Sequence, residues 1–373
     1  MATTVTAQTQ WHFRPASAAD NGALCGLAAR CPMEGDITIC VHRGADFLAL
    51  DALLGEPWHV LVAEVDGSPV GCVAWGIREA YVNGTPTLTG YIGDLKVDKD
   101  HRRRGLGGAL ARAVRCELDD IDPALPTLFT SLAGNRPVSR LPCVRAEDGL
   151  SRQLAVIRIH SIPLFARRRL HAPAAFDVRQ AVWADLEEMA ARWAVTGSAR
   201  QFARVMPADA FVDTIRRAPG LDISSYLVAT DRKGRIAGFM ALWDQRSLKT
   251  THILQYSPRL AAFRIAFNIA APLHGAPPLP STGGVLRGVQ AFHTCAESAA
   301  VLRALVADAR RRLAGRDYAY LALGLDRSDP MQDALAGIWA QPTDVQVQVA
   351  TPGGTRLLPD LDSRPTYYDT ALV

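Results

Sequence analysis

The stretch from Tyr91 to Val114, YIGDLKVDKDHRRRGLGGALARAV, constrains the fold more than any other, because an apolar strand runs through a basic glycine loop directly into a helix. Ile92, Leu95 and Val97 form a short apolar run that ends in the polar turn Asp98 to His101. The loop Arg102-Arg103-Arg104-Gly105-Leu106-Gly107-Gly108 follows. Leu106, Leu110, Ala113, Val114 and Leu118 then recur at helical spacing, so the loop forms a helix N-terminus. That order builds an anion site. Gly105, Gly107 and Gly108 let backbone N–H groups approach a ligand without a Cβ in the way. The unpaired N–H groups and positive dipole end of the helix favour a phosphate, and the three arginines add bidentate donors. A Walker loop is excluded by the missing Gly-Lys-Ser/Thr, and the glycine spacing does not fit a dinucleotide fingerprint.

At 373 residues the chain has room for two domains, each able to bury its own core. Charged residues are 21% and hydrophobic residues 49%, and no apolar run approaches the roughly 18 residues that a membrane span requires. A soluble cytoplasmic protein with no membrane partner is therefore expected. The opening MATTVTAQTQ lacks a charged region with an apolar core and reads as a frayed terminus, not a signal peptide. The seven cysteines are scattered with no C-x-x-C pair, which predicts reduced thiols. The nine histidines include no H-E-x-x-H, and no metal is expected. Net charge is +4, and the basic runs at 102–104, 167–169 and 310–312 are short and separated, so a nucleic-acid partner is not expected.

A weak internal repeat divides the chain. Phe13-Arg14-Pro15-Ala16 with Asp20 is echoed 165 residues later by Val178-Arg179-Gln180-Ala181 with Asp185. Leu61 to Trp75 is echoed by Leu227 to Trp243, each reading as a strand, a glycine-containing turn and a second strand. His171 to Ala175 reads as the linker between the copies, preceded by the strand-like run Leu154 to Ile162.

The Tyr91–Val114 stretch resembles motif A of the GNAT superfamily of N-acetyltransferases, Arg/Gln-x-x-Gly-x-Gly/Ala after the fourth strand, with Arg102, Gly105 and Gly107 filling the pattern. The opening R-x-A-x-x-x-D also looks like the start of such domains. The resemblance spans most of residues 13–165 and, more faintly, 176–350. It implies a mixed α/β fold with two tandem GNAT-like domains: residues 1–170 catalytic, residues 176–373 a degenerate copy. It further implies acetyl-CoA as co-substrate, its pyrophosphate on Arg102, Arg103, Arg104, Gly105, Leu106, Gly107 and Gly108, and its pantetheine arm along Leu95, Lys96 and Val97, whose backbone N–H groups supply the oxyanion contact. In the second copy His293 to Glu297 stand in place of the basic glycine turn, and Glu297 near the helix start disfavours a pyrophosphate. That copy is left to pack on the first, to close one side of the acceptor cleft, or to mediate a homodimer.

Asp94 directly precedes the donor-lining segment, where it could hold a water or orient the acceptor ammonium; a hydrogen bond into a neighbouring helix is the other reading. Strand alternation puts Tyr91, Gly93 and Leu95 on one face and Ile92, Asp94 and Lys96 on the other, so Tyr91 and Asp94 should not both face the cleft. After a fifth strand, Leu128 to Leu132, the segment Asn135 to Pro142 resembles the family's N-x-P-A-x-x-L-Y. Asn135 matches the coenzyme-contacting Asn, and Pro142 stands where the Tyr that protonates the thiolate would be. Ser139, Cys143, Tyr91 or a water could substitute, or the thiolate could leave unassisted. Between the first two strands, Glu34, Asp36 and Asp46 would place carboxylates near the cleft mouth and suit a cationic amine; solvated loop acids are the alternative. Phe47, Leu48 and Leu50 read as core. Whether Tyr367, Tyr368 or the carboxylate of Val373 reaches the first half is open. The expected function is an N-acetyltransferase moving an acetyl group from acetyl-CoA to a primary amine, small molecule or protein lysine, by direct attack in a ternary complex. The alternative is a non-catalytic acyl-CoA sensor or scaffold.

Overall fold

The computed structural model describes residues 11–133, 151–165, 175–351 and 360–372. The first half contributes β1 (His12–Pro15), α1 (Asn21–Ala29), β2 (Ile37–Arg43), α2 (Leu48–Asp51), β3 (Trp58–Val65), β4 (Ser68–Val82), β5 (Thr85–Val97), α3 (Leu106–Ile121), β6 (Thr127–Leu132) and β7 (Ser151–Pro163). The second contributes β8 (Asp177–Gln180), α4 (Leu186–Ser198), α5 (Ala208–Arg217), β9 (Tyr226–Thr230), β10 (Ile236–Trp243), β11 (Lys249–Tyr256), α6 (Pro258–His274), β12 (Val285–Leu286), β13 (Gly288–Ala296), α7 (Ala299–Leu313), β14 (Tyr320–Asp326) and β15 (Gln341–Ala350).

The repeated Arg and Asp do the same work in both halves. Arg14 Nη1 and Nη2 donate to the two oxygens of Asp20 at 2.8 and 2.7 Å, and Arg179 grips Asp185 at 2.7 and 2.8 Å. Each carboxylate also accepts a backbone N–H, from Ser17 or Val182, and so fixes the turn from strand into helix. The helical stripe at 106–118 is likewise a packing stripe: Leu106, Leu110, Val114 and Leu118 are all buried against Leu61, Val73, Trp75 and Ile77. Burying each such leucine stabilises α3 on the sheet by about 1.5–3 kcal/mol.

Twelve strands form one sheet in the order β1-β3-β4-β5-β6-β15-β7-β14-β13-β10-β9-β8. The two halves exchange their last strands: β15 lies between β6 and β7, and β7 lies between β15 and β14. β7 and β15 pair antiparallel along their whole length, so the sheet reads alike from either end. A second sheet, β12-β11-β2, joins the halves again, with Lys249–Tyr256 laid against Ile37–Arg43.

Two wedges open in the large sheet. β5 and β6 run parallel but pair only over Gly90–Ile92 and Thr127–Phe129; beyond that point β5 follows β4 while β6 follows β15. In the second half β13 and β14 part after Gln290 and Ala322. Each wedge has a β-bulge beside it: Asp94 and Leu95 stand opposite Val73, and His293 and Thr294 stand opposite Met240. Asp94 and His293 take equivalent left-handed conformations, with φ of 52° and 49°.

The expectation of a stand-in turn at His293–Glu297 needs correction. β13 continues to Ala296, and only Glu297 and Ser298 separate it from α7. This wedge holds the protein's own segment Thr366–Leu372. Thr366 N donates to Asp326 at 2.7 Å, His293 N donates to Asp369 at 3.2 Å, and a Cβ on Gly324 would lie 2.4 Å from Thr370 Cγ2.

Candidate active site

The polar turn after β5 is built from Asp98, whose carboxylate accepts from Asp100 N at 3.1 Å and from Arg30 Nε at 3.1 Å. Gly105, at the N-cap of α3, has φ of 91°, and a Cβ there would meet nothing within 4 Å. Glycine is demanded at this point by the backbone, not by packing, and the space above it is open for a ligand. Arg102, Arg103 and Arg104 are exposed around it, and Arg102 Nε donates to Val97 O at 3.0 Å, fastening the loop to the end of β5. Helix α3 is pressed close to β4: a Cβ on Gly71 would be 3.1 Å from Leu110 Cδ1. The α3 N-terminus, with Gly107 and Gly108 in its first turn, is therefore fixed beyond the open end of the β5/β6 wedge. Asn135, Ser139, Pro142 and Cys143 lie outside the described residues.

The bulge overturns the expected alternation of β5. Ile92, Leu95 and Val97 pack toward α3. Tyr91 packs in the opposite core with Phe47; Lys96 Nζ lies 5.9 Å from the Phe47 ring centre, and Arg43, the partner of Asp94, lies 5.0 Å from it. One inserted residue moves Asp94 and Lys96 to the Tyr91 face, so Tyr91 and Asp94 do share a side.

Around Asp94 a buried charge cluster gathers from four elements: Arg43 of β2, Asp51 of α2, Asp94 and Lys96 of β5, and Lys249 of β11. Asp94 accepts from Arg43 Nη2 at 2.9 Å and from Lys96 Nζ, and the same Arg43 nitrogen lies 3.4 Å from both oxygens of Asp51. Burial opposes the charge on Asp94, but Arg43 and Lys96 outweigh it and hold this carboxyl below the ordinary carboxylate range. Burial, reinforced by the charge of Asp94, pushes Asp51 up to about 7. Burial, with Arg43 close by, pushes Lys249 down to about 7. The cluster thus holds protons that move near neutrality.

Tyr91 is buried, with its hydroxyl 2.9 Å from Tyr368 Oη and 3.3 Å from Thr130 Oγ1; Tyr368 Oη and Thr130 Oγ1 are 3.0 Å apart. Tyr368 is the residue that brings the second half's tail to the first wedge. Tyr367 instead donates to Asp369 at 2.7 Å, and Val373 lies outside the described residues. Glu34 and Asp36 are exposed before β2, while Arg43 ends that strand, about 20 Å further along. The structure therefore does not bring these two acids to Asp94. Asp46 accepts from Leu48 N at 2.9 Å just before α2, and Phe47 and Leu50 are core as expected. Arg43, Asp51, Lys249 and Tyr368 carried no recognisable motif; β2–β11 pairing and the threading of the tail bring them in. Among the described residues no three His, Cys, Asp or Glu side chains converge as a metal site, and no helix is long and apolar enough to cross a membrane.

Residues 56–135, which hold β4, β5, the arginine loop, α3 and β6, match the family model of the acetyltransferase (GNAT) domain. This part of the chain carries a GNAT acetyltransferase-type domain. N-myristoyltransferase from Saccharomyces cerevisiae with bound myristoyl-CoA has a similar fold, with a TM-score of 0.65 at 11% identity over 97% of this chain and 89% of that one. A GCN5-related N-acetyltransferase from Sphaerobacter thermophilus is similar with a TM-score of 0.55 at 14% identity, over 91% and 95% of the two chains. An Enterococcus faecalis protein described as a probable N-acyltransferase is similar at 0.52 and 10%, over 92% and 74%. No curated protein matches the chain by sequence. The mixed α/β fold with two tandem GNAT-like halves is the one expected from the sequence, and residues 56–135 match an acetyltransferase domain.

Proposed function

We propose that the first half transfers an acetyl group from acetyl-CoA to a primary amine, a small molecule or a protein lysine, by direct attack in a ternary complex, and that the second half is a degenerate copy. One contrast carries this reading. The first wedge opens toward a left-handed glycine, three exposed arginines and a helix N-terminus; the second is filled by Thr366–Leu372 and has only Glu297 and Ser298 before its helix.

Acyl-CoA supplies the activated thioester. Arg102, Arg103, Arg104 and the N–H groups of Gly105 to Gly108 would hold its pyrophosphate. Among the described residues the edge of β5 beyond Ile92 has no strand partner on the β6 side, which leaves Leu95, Lys96 and Val97 backbone groups for the pantetheine arm and the developing oxyanion. Asp94, kept ionised by Arg43 and Lys96, orients the acceptor nitrogen. Asp51 and Lys249, which exchange protons near neutrality, are the groups suited to receive its proton. Tyr91 lines the wedge. Glu34 and Asp36 are kept as outer contacts for a cationic acceptor, and Asn135 as a contact for the coenzyme arm.

Calorimetric titration of acetyl-CoA against wild type and the double variant Arg102→Ala, Arg103→Ala tests the site. Losing charge-assisted bonds of about 1.5–3 kcal/mol each should weaken binding at least about tenfold, and Gly107→Glu should abolish it. No binding by wild type would overturn the assignment. Binding without thiol release over a panel of amines would favour the acyl-CoA sensor, a reading that the double ion pairing of Asp94 supports.

A further inference from the structure

The donor's acyl group is the part of the substrate that the arginine loop cannot read, and the structure places something definite where that group must end. The wedge closes at Ile92 and Phe129, the last paired residues of β5 and β6. Beside this apex stand three hydroxyls in a closed triangle, Tyr91, Thr130 and Tyr368, with sides of 2.9, 3.0 and 3.3 Å. The Tyr91 ring folds along β5 toward the open end: a Cβ on Gly93 would fall 2.7 Å from its Cε1 and 3.1 Å from its Oη. The triangle therefore begins one residue from the bulge at Asp94. A pantetheine arm running from Gly105 back along Val97, Lys96 and Leu95 would cover about 10 Å of strand before reaching that bulge. Only about one residue's length, roughly 3 Å, then separates the bulge from the hydroxyls.

None of the three groups can easily withdraw. The Arg78 guanidinium lies 5.3 Å from the Tyr91 ring centre. Tyr368 is held through its neighbours: Thr366 N donates to Asp326 and Tyr367 N donates to Gln201 O at 2.9 Å, while the carbonyl of Ala371 accepts from Gln245 Nε2 at 2.8 Å. The hydroxyls satisfy one another and present a polar surface, which offers a methylene chain no apolar cover. Both tyrosines are almost fully buried, so lengthening the pocket would require repacking the core.

We propose that the Tyr91–Thr130–Tyr368 triangle is the floor of the acyl pocket and restricts the donor to short acyl chains, acetyl to butyryl in size. This rests on the acyl-CoA reading of the first wedge and deepens it. The second half thereby contributes a specificity residue, Tyr368, to the first half's site.

The test is calorimetric titration of unacylated CoA, acetyl-CoA, butyryl-CoA, octanoyl-CoA and myristoyl-CoA against wild type, Tyr368→Ala and Thr130→Ala, with each acyl-CoA expressed relative to CoA for the same protein. Wild type should bind octanoyl-CoA at least about tenfold more weakly than acetyl-CoA, and Tyr368→Ala should recover about tenfold for octanoyl-CoA. Thr130→Ala, which keeps β6 paired with β15 and removes one hydroxyl and one methyl, should shift the profile in the same direction and stands in should Tyr368→Ala fail to fold. Wild type that binds CoA and shows a flat profile out to myristoyl-CoA would overturn the floor while leaving the coenzyme site standing. A profile unmoved in both folded variants would do the same. Failure of wild type to bind CoA at all would overturn both.

Discussion

Replacing Gly93 by alanine tests the geometry of the wedge most directly. Gly93 does not have a left-handed φ, so in an open strand an added Cβ would stabilise the protein by about 0.5–1 kcal/mol through lost chain entropy. Here that Cβ would sit 2.7 Å from Tyr91 Cε1 and 3.3 Å from its Cζ. The ring is pinned by Arg78 on one side and by Tyr368 and Thr130 at its hydroxyl, so it cannot turn away without breaking the triangle. Overpacking of this kind costs about 1–3 kcal/mol, and each hydrogen bond lost adds about 1 kcal/mol. Gly93→Ala should therefore destabilise the protein by about 2–4 kcal/mol in urea unfolding, read as a lower midpoint at constant slope. In a Tyr91→Ala background the same Cβ points into space vacated by the ring, and its cost should fall to near zero. The coupling between the two substitutions should then be about 2–4 kcal/mol. Equal costs in both backgrounds, within about 0.5 kcal/mol, or a stabilising Gly93→Ala in wild type, would refute the placement of Tyr91 over the wedge.

The charge cluster makes two further predictions. Arg43→Met removes a side chain that is 4% exposed and bridges Asp51 and Asp94; leaving buried carboxylates without their cation should cost about 3–5 kcal/mol in the same unfolding assay at pH 7. Stability should also vary with pH in a way that named groups control. Between pH 3.8 and about 7 the folded chain keeps a proton on Asp51 that the unfolded chain has released. This group's contribution therefore falls as pH rises, by about 1.4 kcal/mol per pH unit within the window. Lys249 works in the opposite sense. Between about 7 and 10.5 the unfolded ammonium keeps a proton that the folded amine has lost, so stability rises with pH there. Asp51→Asn should flatten the acid-side slope and Lys249→Met the alkaline one; slopes that match wild type would show that these groups do not titrate as described.

What could be read from the sequence, and what could not, follows from the range over which each feature is encoded. The arginine loop and α3 were legible because a left-handed glycine and an apolar residue every fourth position, Leu106, Leu110, Val114 and Leu118, are local requirements, written within 20 consecutive positions. The Arg14–Asp20 and Arg179–Asp185 pairs were legible for the same reason. The β5 bulge was not, because an inserted residue leaves no mark on a two-residue period, and both bulges use a non-glycine residue, Asp94 or His293, at the left-handed position. The cluster at Asp94 was invisible because Lys249 reaches it only through β2–β11 pairing.

The strand exchange lies furthest from any local signal. Leu154–Ile162 reads correctly as a strand, yet nothing in its alternation says that it pairs with β14 and β15 instead of β6. The consequence bears on how the repeat should be understood. A cut between residues 170 and 176 would remove β15 from the first half and β7 from the second, leaving β6 and β14 as bare edges with unpaired backbone groups. The tail that supplies Tyr368 would be lost with the same cut. Two copies are visible in the sequence, but each half's last strand and the Tyr368 side of the acyl pocket are supplied by the other half.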